Sequence, residues 1–116
     1  MEIIIVRAPV ARLELARMAR EGFGDFVKVV VDAEQGIMAI GGQLHADAEA
    51  VLQEQCGARS EHLWGINIYP EKSTDESIEF DSMINVKPAS GNRSRGVEDA
   101  ALREKIERIV KKLITE

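Results

Sequence analysis

The chain is poor in cysteine and in aromatic residues, and it has no long apolar run. Each scarcity narrows what it can be. Cys56 is the only cysteine, so no internal disulfide can form, which fits a reducing cytoplasm. Aromatic side chains make up 4% of the 116 residues, so aliphatic side chains must form most of the core. The opening apolar run, Ile3–Val6, follows the acidic Glu2 and is too short for a signal-peptide core or a membrane span. No lipidation motif stands at either end. The familiar catalytic signatures are missing too: there is no H-E-x-x-H, no cysteine pair, no Walker A loop, no G-x-G-x-x-G after a strand and no G-x-S-x-G. These absences predict a soluble, cytoplasmic protein with no membrane partner.

What is present is an ordinary globular composition, 45% hydrophobic and 30% charged. The length suits one domain over residues 1–116 that buries a core without disulfides or metal. The net charge of −5 is unevenly spread. Residues 1–31 carry five bases against four acids, residues 32–81 two against eleven, and residues 82–116 eight against five. Overall acidity argues against nucleic acid or anionic lipid as a partner. The basic C-terminal third leaves room for a local anion site.

Apolar periodicity predicts a mainly antiparallel α+β domain with helices packed on the sheet, in the order βαββαββα. Ile3–Val6 reads as the first strand. Pro9 suits the first turn of a helix over Val10–Gly22, with Leu15, Met18 and Ala19 on one face. Phe26–Asp32 and Ile37–Ile40 read as a hairpin of central strands, apolar on both faces except at Lys28. Helices cover one face of such strands, and a second subunit is expected on the other, which predicts a homodimer. A helix over Ala46–Gln55 closes at Gly57. Leu63–Tyr69 and Ile78–Lys87 form a second hairpin around the polar loop Glu71–Ser77. The last helix runs from Ala100 to Ile114, capped by Asp99, with Leu102, Ile106, Ile109 and Leu113 as its stripe.

The residues able to do chemistry concentrate between Ile78 and Asp99. Alternation along Ile78–Lys87 puts Glu79, Asp81, Met83, Asn85 and Lys87 on one face. A hairpin loop centred on Thr74 sets Asn67 opposite Asp81 and Tyr69 opposite Glu79. Clustered carboxylates such as Glu79 and Asp81 suit a hard divalent cation; equally, they suit the wet face of an antiparallel sheet. In Gly41–Glu49, GGQLHADAE, His45 and Glu49 lie one helical turn apart with Asp47 nearby. That spacing offers two or three ligands or a general base, and Asp47 and Glu49 equally serve a helix start. The loop Ser90–Gly96, SGNRSRG, offers the Arg93 and Arg95 guanidiniums to phosphate or carboxylate. The same arginines suit an internal clamp on Glu79, Asp81 or Glu98.

Taken together, GGQLHADAE, LWGINIYPE and IEFDSMINVKPASGNRSRGVED resemble a family of small bacterial proteins grouped as a domain of unknown function. The resemblance runs from the first helix to the last. It covers His45, Asp47, Glu49, Trp64, Asn67, Glu79, Asp81, Asn85, Asn92, Arg93, Ser94 and Arg95, and departs at Ala100, where the family often has proline. It implies no activity, cofactor or partner.

The residues themselves support three functions. The first is a cytoplasmic domain that binds an anionic small ligand or acidic partner group through Arg93 and Arg95, with Asn67, Asn85 and Asn92 orienting it. The second is a metal-dependent phosphate-ester hydrolase with metal on Glu79 and Asp81 and His45 as base or further ligand. The third is a structural or protein-interaction role for the doubly apolar strands.

Overall fold

The computed structural model describes residues 2–116. Its centre is a five-stranded antiparallel sheet in the order β1-β4-β3-β5-β6, formed by β1 (Ile3–Val6), β3 (Val27–Asp32), β4 (Ile37–Gly41), β5 (Leu63–Ile68) and β6 (Ile78–Glu79). The helices are α1 (Arg12–Glu21), α2 (His45–Cys56) and α3 (Ala100–Leu113). A two-stranded parallel pair, β2 (Val10–Ala11) with β7 (Ile114–Thr115), ties the start of α1 to the end of α3. The main elements follow the expected α+β order. No helix among the described residues is long and apolar enough to cross a membrane.

Both faces of the sheet are covered within the chain. Val29, Val31, Met38, Ile40, Trp64 and Ile66 face α1 and α3 and pack with Leu15, Ala19, Ile106, Val110 and Leu113. Val30, Ile37, Ala39 and Leu63 face the other way, onto Ala48 and Leu52 of α2. Each Val, Leu, Ile or Met among them contributes about 1.5–3 kcal/mol when fully buried. The second subunit expected over the doubly apolar strands is therefore not needed to cover them: α2 takes that place.

Helix ends follow their local chemistry. The Asp99 carboxylate accepts the N–H groups of Ala101 at 2.9 Å and Leu102 at 3.4 Å, satisfying donors that the first turn of α3 leaves free. Gly57 ends α2 in the left-handed conformation, φ 63°, at little steric cost. Helix α1 starts at Arg12 rather than Val10, because the backbone of Val10 and Ala11 pairs with Ile114 and Thr115. The same pairing stops α3 at Leu113.

The largest departure from expectation is the strand over Ile78–Lys87. Only Ile78 and Glu79 pair with β5, Asn67 lying opposite Glu79 rather than Asp81 and Ile68 opposite Ile78. Thereafter the chain leaves the ladder. Ser82 accepts the N–H of Ile84 and opens a single 3₁₀ turn, Met83–Asn85. The pairing edge that β6 vacates at Gly65 is taken by the amide of Asn85, whose Oδ1 accepts Gly65 N–H at 2.8 Å while Nδ2 donates to Gly65 O at 2.9 Å. Ile84 packs on the α2 face.

This close approach requires glycine at position 65. A Cβ there would lie 2.5 Å from both Cβ and Oγ of Ser82 and 3.1 Å from Cδ2 of His45. Gly65→Ala is therefore expected to destabilise the protein by about 1–3 kcal/mol, the usual cost of overpacking. Urea denaturation reads this as a lowered midpoint at unchanged slope; an unchanged midpoint contradicts the packing described.

Candidate functional site

A cleft of about 490 Å³ opens on the α2 side of the sheet, beyond the start of that helix. Its floor is a row of side chains running across three strands. Lys28 on β3 lies opposite Asn67 on β5, which lies opposite Glu79 on β6. One wall is the beginning of α2, Leu44 to Ala46; the other is the Ser82–Ile84 turn with Asp81 and Arg95. Phe26 closes an end, stacked on Phe23 with ring centroids 4.9 Å apart. Leu44 and Met83 stand at the rim, largely exposed.

Of the residues singled out from sequence, His45, Asn67, Glu79, Asp81 and Arg95 converge on this cleft. His45 occupies the first turn of α2 and is buried, with Nε2 2.8 Å from the carbonyl oxygen of Ile66. A carbonyl only accepts, so Nε2 carries the proton, and in the neutral ring Nδ1 is then an acceptor. Burial holds the imidazole pKa below its ordinary value, only partly offset by the bond to Ile66, and Lys28 and Arg95 push the same way.

Asn67 donates from Nδ2 to Glu79 Oε1 at 2.8 Å, and the Tyr69 hydroxyl donates to the same oxygen at 3.3 Å. Burial and the Glu79 carboxylate both raise the Tyr69 pKa, keeping the phenol a donor. The amide oxygen of the same side chain, Asn67 Oδ1, is buried and has no hydrogen-bond partner among the described residues. An orphan acceptor of this kind costs about 1–3 kcal/mol, which is unusual in a native interior.

The arginine loop is organised from within. Arg95 Nε donates to Asp81 Oδ1 at 2.7 Å, with both side chains about half exposed. Such a pair contributes about 0–1 kcal/mol. The backbone N–H groups of Arg93 and Ser94 point at one carboxylate oxygen of Glu98, at 2.8 and 2.9 Å. The loop thus forms an anion-binding concavity, and the anion in it belongs to the chain. These bonds, led by the one from Arg93 N–H, lower the Glu98 pKa. The Arg93 side chain is exposed and stands away from the cleft.

Asn85 and Asn92 hold this loop in place. Asn85 is fully buried, and its Nδ2 reaches Arg95 O at 2.9 Å in addition to Gly65 O. Asn92 donates to the carbonyls of Asn85, Ser94 and Gly96, and its Oδ1 accepts Glu98 N–H at 2.9 Å. Both amides are committed to backbone partners and stand behind the cleft wall. Alternation placed Asn85 on a wet face; it lies in the interior because the strand ends before it.

Among the described residues, no three His, Cys, Asp and Glu side chains stand together as a metal-holding group. His45 turns into the sheet, whereas Asp47 is exposed, and partial burial raises the Glu49 pKa against the opposing pull of Lys87. Lys28, Phe26, Leu44 and Met83 also line the cleft without having been singled out as site residues. For Lys28 a signal existed: it is the one polar interruption in FVKVVV.

The His45 environment has a measurable consequence. Its folded-state pKa lies below the ordinary 6.5, so between that lowered value and about 6.5 the unfolded chain takes up a proton that the folded chain refuses. Stability therefore falls as pH is lowered through this window. His45→Gln keeps a donor for Ile66 O and does not titrate, so its stability is expected to fall less between about pH 7 and pH 5. Parallel slopes for the two proteins in urea denaturation across that range contradict a buried neutral His45.

No curated protein and no solved structure matches the chain. A family model described as Protein of unknown function (DUF5674) matches residues 4–113. Over nearly its whole length, then, the chain belongs to the family of proteins of unknown function DUF5674.

Proposed function

We propose that the domain binds a small anionic molecule in the cleft between α2 and the Ser82–Ile84 turn. The observation that carries this reading is the Lys28 ammonium. It belongs to a residue of the cleft floor, makes no ion pair among the described residues, and lies over the Phe23 ring at 5.3 Å to the centroid. A cation without a counterion beside apolar surface is suited to an anionic group of a ligand. Arg95 supports it from the opposite wall: Asp81 occupies Nε, while the two terminal nitrogens of the guanidinium make no hydrogen bond among the described residues.

In this reading Arg93 has no part in the cleft, and Asn85 and Asn92 act by holding the wall. The protein is proposed to work in the cytoplasm, as the single cysteine suggests, and the covered sheet leaves a dimer without a role in completing the site.

Titration with inorganic phosphate and a panel of small carboxylates, followed by ¹H–¹⁵N correlation spectra, tests the proposal. The expected result is saturable shifts of the Asn67 side-chain amide and of Arg95 Nε–H. Lys28→Gln is expected to weaken binding about 10- to 100-fold, the equivalent of a charge-assisted hydrogen bond of roughly 1.5–3 kcal/mol. If no anion shifts these resonances, or if Lys28→Gln binds as well as the parent, the proposal fails.

A further inference from the structure

The two edges of the sheet are finished differently. At one, β6 pairs over only Ile78 and Glu79, and the Asn85 amide takes both backbone groups of Gly65. At the other stands β1, with β4 along one side and no strand along the other. Its sequence, IIIV, holds none of the charges, prolines or bulges with which natural proteins blunt an edge.

The ladder determines which backbone groups of β1 face outward. Ala33 N–H donates to His62 O at 2.9 Å, continuing the β3–β5 register in which Asp32 lies opposite Leu63. Odd-numbered residues of β3 therefore bond toward β5 and even-numbered ones toward β4, since backbone groups alternate sides along a strand. Val30 lies opposite Ala39, so Ala39 bonds back to β3, and its neighbours Met38 and Ile40 bond to Val6 and Ile4 of β1. The N–H and C=O of Ile3 and Ile5 are left pointing away from the sheet. They have no hydrogen-bond partner among the described residues.

We infer that this edge pairs with the same edge of a second copy of the chain, antiparallel about a two-fold axis perpendicular to the sheet. The two five-stranded sheets then become one. Such an axis keeps each face of the sheet on its own side, so even residues meet even and odd meet odd. The register with Ile4 of one copy opposite Ile4 of the other sets Ile3 of each opposite Ile5 of the other. Those are the residues with outward groups, so each such pair exchanges two N–H···O=C bonds and every free group is used. A shift of two residues pairs only one of them with its like and sends the other past the end of the strand.

Side chains and charges favour the same partner. Ile4 packs on the face of α1 and α3 and Ile3 on the α2 face, and Ile3, Ile4 and Ile5 are all still partly exposed, so pairing gives each of them apolar cover. Glu2 and Arg7 bracket the strand, and neither forms an ion pair among the described residues. Antiparallel pairing lays the acidic end of each strand beside the basic end of the other, whereas parallel pairing would set like beside like. This reciprocity favours a second copy over an unrelated strand. Strand β1 lies at the opposite edge from β6, so the inference stands apart from the anion-binding reading.

Sedimentation equilibrium of the full chain, from micromolar to millimolar concentration, is expected to show a mass rising from 12.8 kDa toward twice that value. Ile5→Pro removes one outward N–H from each copy, a position where an edge strand tolerates proline, and breaks no bond of the monomer. It is expected to raise the dimer Kd at least about tenfold. An isotope-filtered NOE spectrum of mixed labelled and unlabelled parent protein is expected to connect Ile4 Hα with Ile4 Hα, because partners in a non-hydrogen-bonded antiparallel pair hold their Cα atoms about 4.5 Å apart. A monomer mass at millimolar concentration overturns the inference. So does a dimer without the Ile4 contact, or one that Ile5→Pro, shown folded by its thermal melt, leaves unweakened. If Ile5→Pro does not fold, the mass and the Ile4 contact of the parent decide alone.

Discussion

The cleft depends on one side-chain amide. Asn85 takes the place of a strand residue at Gly65, accepting its N–H and donating to its C=O, and with the same Nδ2 it holds the carbonyl of Arg95. All of this takes place at a fully buried residue. Each bond contributes about 1 kcal/mol net, but leaving any of these partners unsatisfied costs about 1–3 kcal/mol. The arrangement is therefore stiff as well as stabilising. It lets the chain abandon the sheet after Glu79 without exposing an unpaired strand edge in the interior. The segment thus released forms the wall opposite α2.

From that constraint the rest of the wall follows. The turn begun by Ser82 sits on Gly65, which has no side chain to hold it off, and the ring of His45 approaches the same glycine from the start of α2. Asn92 then gathers the carbonyls of Asn85, Ser94 and Gly96, and Glu98 fills the backbone concavity of the arginine loop. A loop rich in glycine and arginine is thereby made rigid by groups of its own chain. What it presents to the cleft is Arg95, already braced by Asp81. The charges left without partners lie on the sheet, at Lys28 and Glu79, with the unsatisfied oxygen of Asn67 between them.

Much of the scaffold was legible in the residues. The stripe from Leu102 to Leu113 and the cap at Asp99 defined the last helix, and Gly57 marked the end of the second, because these signals are local. The doubly apolar runs Phe26–Asp32 and Ile37–Ile40 gave the central strands, although which element covered each face was not readable from them. The strand over Ile78–Lys87 was not legible for a specific reason. Alternation reports side-chain polarity, and it continues past Glu79 even though the backbone ladder stops there. Nothing in the pattern distinguishes an asparagine facing water from one whose amide replaces the ladder. The β2–β7 pair was equally hidden, since Val10 and Ile114 meet only in the folded chain. Five of the candidate polar residues do share a cleft, but Lys28, the residue on which the anion-binding proposal turns, registered in the sequence only as an interruption.

The claim that Asn85 substitutes for a strand is tested most directly by amide hydrogen exchange at Gly65. If the Asn85 oxygen holds that N–H in the interior, Gly65 exchanges only through global unfolding, as slowly as Val29 and Val31 in the central strand. In Asn85→Ala the protection of Gly65 is expected to fall well below that of the central strand. A Gly65 amide that exchanges in the parent protein as readily as the exposed loop Glu71–Thr74 would contradict the account, because the wall of the cleft would then have nothing fixed to stand on.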